Sequence, residues 1–241
     1  MPHSTEAFTP LSKLPNFDPR HAPVVGNDAH LPAVAWRELQ ADAIRKRFQS
    51  PPIWQPEVRE EPLYAQRQPM HASVLIPIVL RSEPTVLLTQ RTAHLSTHSG
   101  QIAFPGGKAD EDDRDAAATA LREAEEEVGL QQDFVEVLGH LPLYVTGTSF
   151  LITPVVAMVQ PGFVLAPNHD EVSDIFEVPL HFLMNPANHQ RHAMETQGLR
   201  REWFSMPFQD TNATLPNGTQ ERFVWGATAG MLRNLYRFLI A

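Results

Sequence analysis

The sequence predicts an α/β domain preceded by a proline-rich extension, and three observations carry that expectation. Apolar runs of strand length, residues 72–80 and 85–91, are followed by further strand-like stretches separated by turns. A run of strong helix formers, Ala116 to Val128, lies between a glycine turn and Gly129. Eleven of the 22 prolines fall in residues 1–70, which read as an extended arm with one helix. The expected organisation is therefore an extension over 1–70 and a domain over 71–241.

Within the arm, Trp36 to Phe48 has apolar residues at helical spacing, and Pro51-Pro52 stops it. Its basic end, Arg45 to Arg47, reads as favourable charge at a helix C-terminus rather than as a ligand contact. Residues 72–80 read as a buried strand in which Pro77 predicts an irregularity or an edge. Ser82-Glu83-Pro84 turns the chain, and Thr85 to Arg91 form the hairpin partner. Phe134 to Val145 and Leu151 to Gln160 read as two strands joined by residues 146–149. Asp170 to Leu180 alternates like a half-buried strand leading into a short helix. Another strand is expected near 200–208, a turn-rich loop over 212–220, and a closing amphipathic helix from Val224 to Leu239.

Composition narrows the function. The chain has 241 residues and 42% hydrophobic content, enough for a real core. A net charge of −9 argues against a nucleic-acid or anionic-membrane surface, which needs a basic excess. Without cysteine there is no disulfide, thiolate metal site or cysteine nucleophile. The first ten residues lack the apolar core of a signal peptide, and residues 74–80 are too short to span a bilayer. A cytoplasmic protein acting on a small molecule is expected, with a homodimer among the assemblies allowed.

Chemistry concentrates in residues 100–130. Ile102-Ala103-Phe104 runs into Pro105-Gly106-Gly107, an acidic loop follows from Asp110 to Asp113, and Asp112 or Asp113 is expected to cap the helix, with Gly129 ending it. Glu123, Glu126 and Glu127 stand at i, i+3 and i+4, so three carboxylates share a face while Glu125 points away. Their mutual repulsion costs a few tenths of a kcal/mol per pair unless a positive charge sits among them. A hard divalent cation, Mg2+ or Mn2+, would turn that cost into a binding site. The plain reading is a solvated acidic face on which Arg122 pairs with Glu126.

Gly107 followed by Arg122-Glu123-Ala124-Glu125-Glu126-Glu127-Val128-Gly129-Leu130 resembles the signature of the Nudix hydrolases. The interval from Gly107 to Arg122 is one residue longer than in the commonest form, and Asp112 or Asp113 replaces the loop glutamate. Leu87-Leu88-Thr89-Gln90-Arg91, then Gly100 to Gly107, resembles the extra signature of the coenzyme A pyrophosphatase branch, where the longer loop is usual. The resemblance covers about residues 72–240, including the Trp225-Gly226-Ala227-Thr228-Ala229 stretch near the C-terminus.

That resemblance implies a Nudix α/β/α sandwich with a mixed sheet. It implies Mg2+ or Mn2+ on Glu123, Glu126 and Glu127, and hydrolysis of the diphosphate linkage of coenzyme A or acyl-CoA. Glu127 or Glu171 is expected to take the proton from water, and Arg122 to orient the glutamates. Arg91 and Lys108 are expected to hold phosphate, with His94 and His98 as further cations or as surface residues. Gly106 and Gly107 are expected to let the backbone approach metal and substrate. Two alternatives share this fold: hydrolysis of another nucleoside diphosphate derivative, such as ADP-ribose, NADH, a nucleotide sugar or a nucleoside triphosphate, and a non-catalytic ligand-sensing module. A structural protein with an acidic helix is a third alternative, outside the family, and the glycine loop argues against it.

Overall fold

The computed structural model describes residues 9, 11, 14, 17–58, 68–93, 100–196, 198–211 and 218–241. In chain order these carry β1 (Val24–Asn27), α1 (Ala41–Gln49), β2 (Met70–Val79), β3 (Thr85–Arg91), β4 (Ile102–Ala103), β5 (Gly106–Lys108) and α2 (Ala116–Val128). After α2 come β6 (Val135–His140), β7 (Tyr144–Val145), β8 (Phe150–Val159), β9 (Val172–Pro179), α3 (Leu180–Leu183), β10 (Gln190–Thr196), β11 (Leu199–Asp210), β12 (Gln220–Trp225) and α4 (Gly226–Ile240). No helix among the described residues is long and apolar enough to cross a membrane.

The larger sheet has the order β4-β3-β2-β8-β6, with β5 on β2, β7 on β8 and β9 on β3. It is mixed: β2 and β8 run parallel from Met70↔Phe150 to Val79↔Val159, while the other pairs are antiparallel. Side chains alternate between its faces, as the pleat requires. Leu75, Val79, Leu87, Val155 and Ala157 pack with Ala120, Ala124 and Val128 of α2. Ile76, Ile78, Val86, Val156 and Met158 pack on the opposite side with Leu232, Leu235 and Phe238 of α4. Val34, Leu39 and Ile44, from before residue 70, belong to that second core. The α/β class with a mixed sheet between helices is therefore as the sequence predicts.

Pro77 sits in the middle of this sheet, not at an edge, and its place explains why that is tolerated. β2 pairs with β5 over Ala72–Val74 and with β3 only at Ile78–Val79. Leu75 N–H donates to the Pro105 carbonyl at 2.8 Å on that side. Two residues on, Pro77 faces the same way, into the gap between the two partners, where no donor is needed.

A second sheet, β1-β10-β11-β12, is only partly legible in the sequence. Its pattern predicts β11 alone, and Val224 and Trp225, expected in the closing helix, belong to β12. The helix starts at Gly226 because Trp225 is extended (φ −149°, ψ 178°). In the arm, Trp36–Leu39 is a 3-10 turn, and the α-helix begins only at Ala41, after an extended Gln40 (φ −77°, ψ 150°). The arm is fastened by charge. Arg233, almost fully buried, binds Asp28 at 2.8 Å and Glu57 at 2.7 Å, and Arg191 binds the same two carboxylates.

Candidate functional site

The site is organised by the register of α2. At about 100° per residue, Ala120, Ala124 and Val128 turn into the core, which swings Glu127 inward beside them and leaves Glu126 outside. Glu127 is only 4% exposed, whereas the Glu126 side chain is 59% exposed. Helix capping differs from expectation. Asp115, not Asp112 or Asp113, is the N-cap, its carboxylate accepting from Ala118 N–H at 2.8 Å. Asp113 is instead committed to Arg122, with contacts of 3.1 and 2.9 Å. That guanidinium holds the Asp113 carboxyl well below the usual carboxylate range. Gly129 ends the helix in the left-handed region (φ 70°), as its position predicts.

Arg122 ties the loop to the helix. Besides Asp113, its guanidinium donates to Glu123 at 3.0 Å, to Glu126 at 3.1 Å and to the Lys108 carbonyl at 3.0 Å. The glycine turn is held close on the other side. Gly106 N–H donates to Glu127 Oε2 at 3.1 Å, and a Cβ at Gly106 would collide with Ser73 and Val74 backbone. A Cβ at Gly107 would stand 2.5 Å from the Glu123 carboxyl. Neither position has room for a side chain.

Arg91, at the end of β3, points at this cluster and lies 3.5 Å from Glu127 Oε1. Glu171 arrives on the loop before β9. That loop is pinned to the end of α2, where Asn168 N–H donates to the Glu127 carbonyl and Ala166 N–H to that of Val128, both at 2.9 Å. Thr92 N–H completes the placement by donating to the Glu171 carbonyl at 2.9 Å. Burial pushes the Glu127 carboxyl up to about 7; Gly106 N–H and Arg91 oppose the rise, and Glu171 and Glu123 add to it. Burial likewise raises Glu123, against the pull of Arg122.

The residues expected from the sequence are thus brought together unequally. Glu123, Glu127, Glu171, Arg91, Gly106, Gly107 and Lys108 all line one cavity of about 990 Å³. Glu126 is held outward on Arg122, and Lys108 offers its carbonyl to Arg122 while its side chain stays exposed. His94 and His98 lie outside the described residues. Among the described residues, no three carboxylate or imidazole groups form a ready-made metal cluster. The donor chemistry nevertheless suits a hard divalent cation. Glu123, Glu127 and Glu171 are oxygen donors; the charge of Glu171 raises the proton affinity of the other two, and a cation among them removes that repulsion.

The cavity also has walls that the sequence did not announce. Arg191, His192, Arg201 and Trp203 come from the second sheet and Trp225 from its last strand, while Leu11, Glu57 and Val58 come from the arm. One signal was available for β10 and β11. Gly198 (φ 72°) lies just before β11, in the two-residue link between Thr196 and Leu199, and such a link predicts a hairpin.

Comparison with known proteins gives one consistent family. The NUDIX domain family matches residues 69–207. The uncharacterized Nudix hydrolase NudL of Escherichia coli (strain K12) is 39% identical over 201 residues, covering 83% of this chain and 95% of that protein. NudL of Shigella flexneri matches at the same identity and coverage. Among solved structures, a MutT/nudix family protein from Enterococcus faecalis aligns with a TM-score of 0.44 at 15% identity, over 82% of this chain and 74% of that one.

Proposed function

The chain belongs to the Nudix family of hydrolases, and from that premise we propose that it cleaves the diphosphate linkage of coenzyme A or an acyl-CoA. The products are adenosine 3′,5′-bisphosphate and a 4′-phosphopantetheine species. The observation that carries the hydrolytic part is Glu127: a buried carboxyl on the Gly106 N–H, beside Glu123 and Glu171, in the wall of a cavity large enough for a nucleotide. A sensing module has no use for such a costly arrangement. The coenzyme A part rests on the pattern from Leu87 to Gly107, which resembles the extra signature of that branch.

Nudix hydrolases generally use divalent cations, and Glu123, Glu126 and Glu127 would hold Mg2+ or Mn2+ here. When bound, the cation neutralises diphosphate charge and acidifies a water. Glu171, or Glu127 where the metal leaves an oxygen free, accepts the proton from the attacking water. Arg122 keeps Glu123 and Glu126 in register and touches no substrate. Gly106 and Gly107 let the backbone come against the phosphates, and Lys108 adds positive charge there. Arg91 lines the cavity 3.5 Å from Glu127, where it screens the carboxylate and is placed to meet a phosphate.

The test is chromatography of the products formed with magnesium from coenzyme A, dephospho-coenzyme A, ADP-ribose, NADH and dGTP. Coenzyme A or a short acyl derivative should turn over fastest. Faster cleavage of ADP-ribose or dGTP would leave the chemistry standing and overturn the substrate.

A further inference from the structure

The carboxylate side of the cavity is accounted for by hydrolysis, but the wall built from β11 and β12 is not. Trp203 faces His192 across the β10–β11 ladder, and the two rings lie parallel (6°) with centroids 5.4 Å apart. Trp225 pairs with Ser205, two residues beyond Trp203. The two indoles are therefore diagonal neighbours on one face of the sheet. Phe17 of the arm packs against both, at 5.9 Å from each. This fixes them before any ligand arrives.

Three features make this wall a receptor for a flat heteroaromatic ring. Both tryptophans are half-buried yet line the cavity. The Trp203 indole N–H is buried and has no hydrogen-bond partner among the described residues, a state that buried donors seldom keep. Arg201, on the same strand face, adds a cation to the wall while donating to the Thr9 carbonyl at 2.6 Å. The wall near Thr146, Thr148 and Phe150 has single-ring aromatics, Tyr144 and Phe150, and no indole.

We propose that Trp203 and Trp225 seat the nucleobase of the substrate, with a ring nitrogen accepting from the Trp203 indole N–H and the ring stacked on the indole surface. The inference rests on the reading that the substrate is a nucleotide derivative, and it assigns the halves. The base lies against β11 and β12, the diphosphate at Glu127, and the remaining chain along Thr146 to Phe150. Stacking is indifferent to which base is present, so the indole N–H supplies the preference for a ring with an acceptor at that edge.

Photolabelling decides it without a variant. Metal-free wild-type protein irradiated with 2-azidoadenosine 3′,5′-bisphosphate should carry the label on the peptide holding Trp203 or Trp225. Label on residues 144–152 or on Lys108 overturns the seat. Tryptophan fluorescence in EDTA gives a second reading. Adenosine 3′,5′-bisphosphate and AMP should both quench it, and 4′-phosphopantetheine should not. Trp203→Phe keeps a ring but lacks the N–H, so adenine nucleotides should bind it about tenfold more weakly, with thermal unfolding showing that the variant is folded. Unchanged affinity overturns the hydrogen bond. If coenzyme A is not cleaved but AMP quenches and the label falls on β11 or β12, the substrate assignment fails and the seat stands. If coenzyme A is cleaved and the label falls elsewhere, the seat fails and the substrate assignment stands.

Discussion

Gly107 lies directly beneath the Glu123 carboxyl, so close that a single added methyl would stand 2.5 Å from its oxygens. The glycine turn and the acidic helix therefore form one unit, and the space between them is already full. Gly107→Ala must push Glu123 away, since the backbone on the other side is fixed in the β2–β5 ladder. A displacement near 1 Å at a reacting centre costs about 100-fold in rate. The expected result is a loss of that order in kcat, with thermal unfolding little changed because Glu123 is only partly buried. Full activity in the variant would mean that Glu123 holds nothing the reaction needs.

Glu127 predicts a pH dependence of stability. Its carboxyl titrates near 7 in the folded chain, against about 4.5 when exposed. Because the folded state holds the proton more tightly, stability falls as pH rises from about 4.5 to 7 and stays low above that. The drop is about 3 kcal/mol if no cation is present. Denaturation in EDTA at pH 5 and pH 8 should show it. Glu127→Gln keeps an acceptor for Gly106 N–H without the charge, so it should flatten the slope and be the more stable protein at pH 8. A wild-type curve flat across this range would contradict the burial of an ionisable carboxyl there.

The contrast between α2 and the second sheet shows where the sequence could be read. In α2, the limits and the left-handed Gly129 follow from local rules. Each depends on residues within four positions. The N-cap does not follow in the same way, because Asp112, Asp113 and Asp115 are locally equivalent; Arg122, nine residues beyond Asp113, takes Asp113 out of contention. β10 is illegible for a different reason. Gln190 to Thr196 is polar, and its buried members, His192 and Ala193, are set by pairing with β11 and by cover from the arm. Arg191 and Arg233 look like surface cations until Asp28 and Glu57 are known to meet them across more than 130 residues. The aromatic wall of the cavity is invisible for the same reason: it exists only once β11 and β12 lie side by side.

Glu126 tests the metal face. It is tied to Arg122 at 3.1 Å and largely exposed, so its loss removes the proposed ligand without opening the core. Calorimetry with manganese should show binding that largely vanishes in Glu126→Gln, while thermal stability holds or rises as like-charge repulsion with Glu123 is relieved. Hydrolysis should fall by orders of magnitude in the same variant. Unchanged manganese affinity would sink the assignment of Glu126 as a ligand and leave Glu123, Glu127 and Glu171 as the donor set.

Asp28 holds the arm to the domain. It is 3% exposed and takes a bidentate pair from Arg191, both contacts at 2.9 Å, and a third contact from Arg233 at 2.8 Å. Burial alone would raise its pKa, but the hydrogen bond from Arg191 and the charge of Arg233 pull it below the ordinary value. His189, whose ring nitrogen lies 3.0 Å from Arg233, is kept neutral because burial pushes its pKa down to about 4, so it neither supplies an anion nor adds a third cation. Asp28→Asn therefore leaves two guanidinium groups sharing Glu57, one of them buried. Removing one partner of such a pair costs about 3 kcal/mol, and urea denaturation at pH 7 should show a loss of that order. Because Glu57 and Val58 of the arm also line the cavity, KM for the substrate should rise in the variant while kcat changes little. A stable variant with unaltered KM would show that the arm is held by its apolar contacts, Leu39 and Ile44 in the core, and that the charges are incidental.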